Sequence, residues 1–289
     1  MWQQLIISGI AIGSMYGLVA LGFQITYAVS NTMNFSQGAS VMVGAVLCYV
    51  LNISWGVWSP VAVAMTLAVC AAFGILVERF VVRPFAKDGS NAWLLTTIAL
   101  GIIVENLVML TFGKEVRGYP SSLADQPVMV LGFGVFPIEF VIPIAGVAIA
   151  LALRLLFTRT LFGKALQAIS ESHTTARIMG IPVERMIAAS FAISTMLAGV
   201  AGMLIAPVAN VSATMGTLLG LKAFAAAIIG GLGSPWGVVV AGILYGVVES
   251  VAAGVLGGSY REIVGFAVVI IALAIRPNGI FGRMQTHKV

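Results

Sequence analysis

The chain has 289 residues, of which 60% are hydrophobic and only 9% are charged, and its formal net charge is +5. An ordinary soluble domain carries about 25% charged residues, and a soluble protein of this size needs polar groups to cover its surface. The composition therefore argues against a soluble enzyme, a nucleic-acid-binding protein and a disordered chain. It predicts an all-α, polytopic integral membrane protein.

Apolar runs of about 20 residues, the length that crosses a bilayer as a helix, recur along the chain. The candidate spans are 5–29, 33–52, 59–78, 92–112, 136–157, 186–206, 217–233, 236–257 and 262–276. Span 217–233 contains Lys222, and the second span begins with polar residues, so either helix could be broken or re-entrant. We predict about 8–9 transmembrane helices in one domain, 1–289. Eight full spans with partial helices, or a re-entrant pair over 217–245, remain open.

Small residues recur at intervals of four within these spans. Gly9, Gly13 and Gly17 form one stripe, and the pairs Gly216–Gly220 and Gly242–Gly246 repeat its spacing. Such stripes allow helix backbones to approach closely in lipid. Packing within the subunit is the simpler interpretation, and a contact between subunits is the alternative.

The basic residues distinguish the two sides of the membrane. If the spans alternate in direction, 11 of the 15 Lys and Arg residues fall on one side. Cytoplasmic loops carry an excess of these residues, so we predict that the N-terminus lies outside and the C-terminus in the cytoplasm. The basic stretch 158–185 then lies in the cytoplasm, and the loop 113–135 lies outside.

The segment 31–40 places polar residues between two apolar runs. Asn34 and Gln37 are three residues apart and would share a face if the segment were helical. Polar side chains at membrane depth are tolerated where they face protein or water. The segment is therefore either an ordinary turn or a broken helix beside a translocation path.

A second unusual segment begins at Lys222 and runs through a glycine-rich stretch to Pro235. Three glycines within 230–233, followed by proline, cannot continue a regular helix. The segment is either a structural turn or a break that lines or gates a pore. Lys222 would cost roughly 2.5–3.5 kcal/mol at the centre of a bilayer, so we expect it to reach the interface or to pair with Glu249 or Glu105.

The third segment is the polar stretch 158–185, in which apolar residues recur at near-helical spacing. We predict two short amphipathic helices that end at Gly180 and Pro182. Their apolar side needs a partner, which is either the rest of this chain, the lipid interface or a cytoplasmic protein. No catalytic constellation and no metal-ligating cluster is recognisable in the sequence, so we expect no catalytic residues and no metal.

These segments resemble the permease subunits of bacterial ABC importers for branched-chain and other hydrophobic amino acids, the LivH type. The resemblance covers essentially the whole chain. It is carried by Asn34-Phe35 with Gly38, by 163–181, by Lys222-Ala223-Phe224 leading into 230–234, and by the motif Pro277-Asn278-Gly279-Ile280-Phe281-Gly282-Arg283.

The resemblance implies a non-catalytic permease that works by alternating access in the bacterial inner membrane. It implies as partners a second homologous permease, two cytoplasmic ABC ATPases that bind the ATP, a periplasmic substrate-binding protein and membrane lipid. No cofactor on this chain and no nucleic acid are expected. The implied coupling segment is 158–185, with the contact residues Gly163, Ala168, Glu171, Ser172, Ala176, Gly180 and Ile181. The residues placed at the translocation path are Asn34, Phe35, Gln37, Gly38, Lys222, Gly230, Gly231, Gly233 and Ser234.

Two positions depart from the family pattern. Ala39 stands where an acidic residue is frequent, and Gln37 stands where a histidine is common. Amides, urea and aromatic or dicarboxylic acids therefore remain possible substrates. The competing hypothesis is a secondary transporter or facilitative channel for small amides or organic acids, for which Glu105 and Glu249 are the obvious coupling groups.

Overall fold

The computed structural model describes residues 2–86, 91–130, 133–276 and 279–282, and most of them are helical. The helices are α1 Trp2–Ser30, α2 Gln37–Tyr49, α3 Ser59–Leu76, α4 Arg83–Ala86, α5 Ala92–Phe112, α6 Ser122–Asp125, α7 Ile138–Arg159, α8 Leu161–Glu171, α9 His173–Ile178, α10 Val183–Ala209, α11 Met215–Gly230, α12 Pro235–Leu256 and α13 Arg261–Ile275. The π-helical segments Val50–Ser54 and Val77–Val82 extend α2 and α3, and a 3-10 turn, Gly258–Tyr260, precedes α13. Strands β1, Val128–Val130, and β2, Phe133–Val135, pair antiparallel.

The number of long apolar helices agrees with the predicted count of membrane spans. Within the described residues, 8 helical segments are long and apolar enough to cross a bilayer. The apolar helix α11 has only 16 residues and is a partial helix. The re-entrant pair over 217–245 is wrong, because α12 is a full helix of 22 residues.

Helix α1 forms the centre of the bundle. It packs against α12, α10, α11 and α7, and 67% of its most apolar window is buried, against 6% for α5 and for α13. Because α5 and α13 leave most of their surface uncovered within this chain, they lie at the periphery of the bundle.

The glycine stripes pack within the subunit. A Cβ atom on Gly13 of α1 would lie 2.7 Å from the carbonyl oxygen of Gly242 on α12. A Cβ atom on Gly220 of α11 would lie 2.7 Å from the Cα of Gly38 on α2. The backbones of both helix pairs therefore touch at these glycines, which is the simpler of the two interpretations of the spacing.

The end of the bundle that carries the β-hairpin is held by the loop that follows α5. Arg117 and Val211 exchange backbone hydrogen bonds of 2.9 and 2.8 Å, and the Arg117 guanidinium lies 4.2 Å from the centroid of the Phe112 ring. The Tyr119 hydroxyl donates a hydrogen bond of 3.0 Å to Asn52. Burial raises the pKa of Tyr119 above its ordinary value, which keeps the hydroxyl a neutral donor.

Candidate functional site

The chain leaves the helical conformation between α1 and α2. Asn31 takes a positive φ of 55° directly after the end of α1, and α2 begins only at Gln37. Asn34 therefore lies in the non-helical break. Asn34 and Gln37 would share a face only if the segment were helical, and this condition is not met because Gln37 is the first residue of the new helix.

The polar side chains at the junction of this break with α2 are enclosed by protein. Asn34, Ser36 and Gln37 are fully buried. Asn34 Oδ1 accepts hydrogen bonds from the Ser36 amide at 3.1 Å and from the Ser36 hydroxyl at 2.6 Å. Gln37 Nε2 donates to the Ser194 carbonyl at 2.9 Å, and the Ser194 hydroxyl donates back to Gln37 Oε1 at 3.1 Å. The polar groups at this junction are thus hydrogen-bonded, apart from Asn34 Nδ2, which has no partner among the residues that the structure describes.

The junction lies inside the bundle and not at its surface. The Gln37 side chain lies against Gly22, which is eight residues before the end of α1 and so about 12 Å along the helix. Gly38 packs against Gly216 and Gly220, close to the start of α11. Helices α2 and α11 therefore begin next to each other in the interior.

Aromatic side chains cluster beside this junction. The ring centroids of Phe35 and Phe224 are 5.0 Å apart, and those of Phe23 and Phe224 are 5.6 Å apart. Phe35 and Phe224 are partly exposed, whereas Phe23 is buried. Of the first four residues predicted at the path, only Phe35 reaches the surface of this chain, and Asn34, Gln37 and Gly38 lie behind it.

Lys222 is buried in the helix packing. It is 4% exposed, and its ammonium group is paired with the Glu249 carboxylate on α12. The same carboxylate lies 3.1 Å from the Arg261 guanidinium and accepts a hydrogen bond of 2.8 Å from the Tyr16 hydroxyl. Of the alternatives for Lys222, pairing with Glu249 is confirmed. Reaching the interface and pairing with Glu105 are wrong, because Glu105 instead accepts a hydrogen bond from Thr217.

The glycine-rich segment is the turn between α11 and α12. Gly230 ends α11, Gly231 follows with a φ of 84°, and the Ser234 hydroxyl accepts a hydrogen bond of 3.2 Å from the Gly237 amide at the start of α12. Of the two alternatives for this segment, the geometry corresponds to a structural turn. Gly233 lines a shallow cleft together with Ser172 at the junction of α8 and α9. The turn thus lies at the end of the bundle that carries α8, which we call the α8 end.

The segment 279–282 caps α11, a role that the sequence analysis missed. The Ile280 amide donates to the Ile229 carbonyl at 2.7 Å, and the Phe281 amide donates to the Gly230 carbonyl at 3.3 Å. A Cβ atom on Gly279, which has a φ of 80°, would lie 2.6 Å from the Gly231 nitrogen. The consecutive glycines Gly230 and Gly231, and Gly279 in the C-terminal motif, were the available signal. The motif residues Pro277, Asn278 and Arg283 lie outside the described residues.

The two predicted short helices within 158–185 are confirmed as α8 and α9. The Thr160 hydroxyl caps α8 by accepting a hydrogen bond of 3.1 Å from the Gly163 amide. The Ser172 hydroxyl caps α9 by accepting one of 3.2 Å from the Thr175 amide. Gly180, with a φ of 80°, follows the end of α9. Caps on both helices fix the bend between them at Ser172.

The apolar side of this pair packs on the bundle. Leu166, Ile169 and Ala176 are at most 1% exposed and form a cluster with Val29 of α1 and Val183 of α10. The partner of the apolar side of α8 and α9 is therefore the rest of this chain. The residues predicted for coupling do not share one surface: Gly163 and Ala176 are buried, Ala168, Ser172 and Ile181 are half-buried, and Glu171 and Gly180 are exposed.

Helix α1 is also joined to α9 by a polar contact. A ring nitrogen of His173 lies 2.7 Å from the Val29 carbonyl oxygen. Val29 is the penultimate residue of α1, so the contact lies directly before the break at 31–36. The α8–α9 pair thus touches the end of the central helix through both apolar and polar groups, and displacement of the pair would act on α1.

Known proteins resemble the chain over its full length. Residues 5–273 match the family described as branched-chain amino acid transport system / permease component. The high-affinity branched-chain amino acid transport system permease protein BraD of Pseudomonas aeruginosa is 31% identical, with 100% of this chain and 98% of that protein covered. LivH of Escherichia coli K12, of the same description, is 30% identical over 99% of this chain and 97% of that protein.

One solved structure also aligns with most of the chain. PsaBC from Streptococcus pneumoniae in complex with Fab has a TM-score of 0.49 and 17% identity, over 96% of this chain and 92% of that chain. The family match covers almost the whole helical bundle, from the first helix to the last. The chain belongs to the family of branched-chain amino acid transport system permease components, and it is a multi-pass membrane protein.

Proposed function

We propose that this chain is the permease subunit of an ABC importer for branched-chain or other hydrophobic amino acids. It lies in the bacterial inner membrane with its N-terminus outside and its C-terminus in the cytoplasm. Two cytoplasmic ATPases bind ATP beneath it, a second homologous permease completes the path, and a periplasmic protein delivers the substrate. The chain itself holds no cofactor and catalyses no reaction.

The exposed side of the α8–α9 pair is the observation that carries this proposal. Ile178 and Met179 at the end of α9 are 81% and 74% exposed, and Glu171 and Gly180 of the same segment are exposed as well. Large apolar side chains at a capped, well-packed helix end are typical of a protein-binding surface. In this proposal the pair is the coupling segment, and its exposed residues enter a groove on the ATPase.

The face formed by α5 and the start of α11 supports a second permease as partner. Glu105 and Asn106 lie in the second half of α5 and are not buried by this chain, and Glu105 accepts a hydrogen bond from Thr217. A carboxylate inside a membrane span is costly against lipid. The second subunit and the path between the two subunits would cover this polar strip and the partly exposed rings of Phe35 and Phe224.

The packing supplies a route for alternating access. Closure of the ATPases on ATP moves the α8–α9 pair, and the pair contacts the end of α1 through Val29 and His173. Helix α1 touches α12 backbone to backbone at Gly13, so α1 and α12 move together. The non-helical break at 31–36 lies directly after α1 and lets α2 keep its place while α1 tilts.

A charge reversal at the exposed side tests the coupling role. In the complex with its ATPases and the periplasmic protein, Glu171→Arg and Gly180→Arg should lower substrate uptake at least tenfold while basal ATP hydrolysis continues. Gly180→Ala has the same positive φ as Gly180→Arg but adds little bulk, so it separates backbone strain from a clash with the ATPase. Lys114→Glu, an exposed charge reversal in the loop after α5, controls for charge alone. Normal coupled uptake by both arginine variants would contradict the assignment.

A further inference from the structure

A cavity of about 400 Å³ opens at the α8 end of the bundle, between α1, α7, α8 and α12. Cavities of ~300–1,000 Å³ are typical of sites that hold small ligands. The α1 wall includes Leu21 and Ile25, the α7 wall includes Ala150 and Phe157, and α12 contributes Val239. None of the roles proposed above uses this cavity.

The cavity has an apolar floor and a polar mouth. Leu21, Ala150 and Val239 form the part that lies deeper along their helices. Thr158, next to the last residue of α7, and Gln167 of α8 border the opening at the α8 end. The two ends of the cavity therefore suit the two ends of an amphiphile, with the apolar end pointing toward the interior of the bundle.

One basic side chain stands at this mouth. Of the described residues that line the cavity, only Arg154 is charged. Its guanidinium lies 5.7 Å from the ring centroid of Trp236 at the start of α12, and Trp is enriched at membrane–water interfaces. The Arg154 charge has no acidic partner among the lining residues, so the mouth favours an anion.

The surface on both sides of the opening is apolar. Leu151 and Leu155 of α7 are 43% and 57% exposed, and Val240 and Leu244 of α12 are 39% and 52% exposed. Exposed apolar residues on these two spanning helices are compatible with contact to acyl chains. In the proposed site, the lipid-facing surfaces of α7 and α12 bring acyl chains next to the cavity.

We propose that this cavity binds an anionic phospholipid, with its phosphate on Arg154 and one acyl chain along Leu21 and Ala150. Basic pockets between membrane helices have the chemistry that recognises such headgroups. Because α8 forms one wall of the cavity, the bound lipid contacts α8 together with α7 and α12. The lipid therefore stabilises the position of the α8–α9 pair.

Lipid titration of the purified full chain in mild detergent tests the site. Native mass spectrometry should detect one phosphatidylglycerol that is retained more strongly than phosphatidylcholine. Arg154→Gln should weaken phosphatidylglycerol binding about fivefold, the effect of removing one basic group at the headgroup level. Arg159→Gln removes an exposed charge from the last residue of α7, outside the cavity, and should leave binding unchanged.

A second variant tests the acyl chain site separately. Ala150→Phe fills the floor of the cavity and keeps Arg154, so it should also abolish selective retention of phosphatidylglycerol. Equal retention of the two lipids by the unmodified chain, or equal loss in Arg154→Gln and Arg159→Gln, would overturn the proposal. Displacement of the lipid by inorganic phosphate would also overturn it, because the site would then need no acyl chain.

Discussion

At the scale of single residues, the least expected feature is one carboxylate that serves two buried or half-buried cations. Glu249 is fully buried and is paired with Lys222 and Arg261, while the Tyr16 hydroxyl donates a hydrogen bond to its other oxygen. The three groups come from α1, α11 and α13 and meet on α12. Glu249 is thus the centre of the cluster, because Lys222, Arg261 and Tyr16 all contact its carboxylate.

Substitution of the two buried members of this cluster, Glu249 and Lys222, should lower the stability of the fold to different extents. Glu249→Gln should destabilise the fold by about 3–5 kcal/mol, because it leaves the Lys222 ammonium buried without an acid. Lys222→Met should cost clearly less, since Glu249 keeps Arg261 and Tyr16 as partners. Thermal unfolding followed by gel filtration in detergent measures both variants, with Lys114→Met as an exposed control. A larger loss for Lys222→Met would show that Glu249 is not the centre.

At the scale of helices, contact between backbones decides which elements move as one body. Gly13 on α1 meets Gly242 on α12, and Gly38 on α2 meets Gly220 on α11. In lipid such contacts are stabilised by van der Waals packing, since burial of apolar surface between helices gains little. The short helix α11, with 16 residues, is held by such contacts and also by the cap from Ile280 and Phe281.

The α1–α12 contact predicts a different outcome for two similar substitutions. Gly13→Ala should destabilise the chain by about 1–3 kcal/mol, because its Cβ would lie 2.7 Å from the Gly242 carbonyl oxygen. Gly101→Ala, on the peripheral helix α5, would place its Cβ atom 3.7 Å from the Cα atom of Ser36, which is an ordinary van der Waals contact. It should be neutral or stabilising, since alanine favours the helix. Equal melting temperatures for the two variants would contradict the close contact.

At the scale of the whole molecule, the proposed function depends on which end of the bundle faces the cytoplasm. The distribution of Lys and Arg predicts that the α8 end lies inside and that the hairpin end with Lys114 lies outside. The two native cysteines should not interfere with a cysteine-labelling test of this orientation. Cys48 is 5% exposed and Cys70 is fully buried, so neither should react with a bulky reagent in the folded protein.

Orientation predicts which introduced cysteine reacts from outside. In spheroplasts, Lys114→Cys should be labelled by a membrane-impermeant maleimide, and Arg159→Cys should be labelled only after the membrane is opened. Both positions are exposed in this chain, so the difference reports the side of the membrane. The reverse pattern would place the α8–α9 pair outside and remove it from any contact with a cytoplasmic ATPase.

The sequence by itself determined the fold class, the number of long helices to within one, and the pair α8–α9. Lipid leaves backbone groups no solvent partner, so long apolar runs must be helices. Local signals such as Thr160, Ser172 and Gly180 are sufficient to begin and end the short helices, because each capping group acts on residues next to it in the chain. The glycine stripes likewise predicted close packing.

Only the tertiary structure decided what each polar group meets. Glu249 is 27 residues from Lys222 and 233 from Tyr16, and no local pattern selects among acids that distant in sequence. The same holds for Gln37 and Ser194, which enclose the break that the sequence left open between a turn and a path. Partner choice depends on how helices far apart in the chain pack side by side, and the packing of the whole bundle fixes that arrangement.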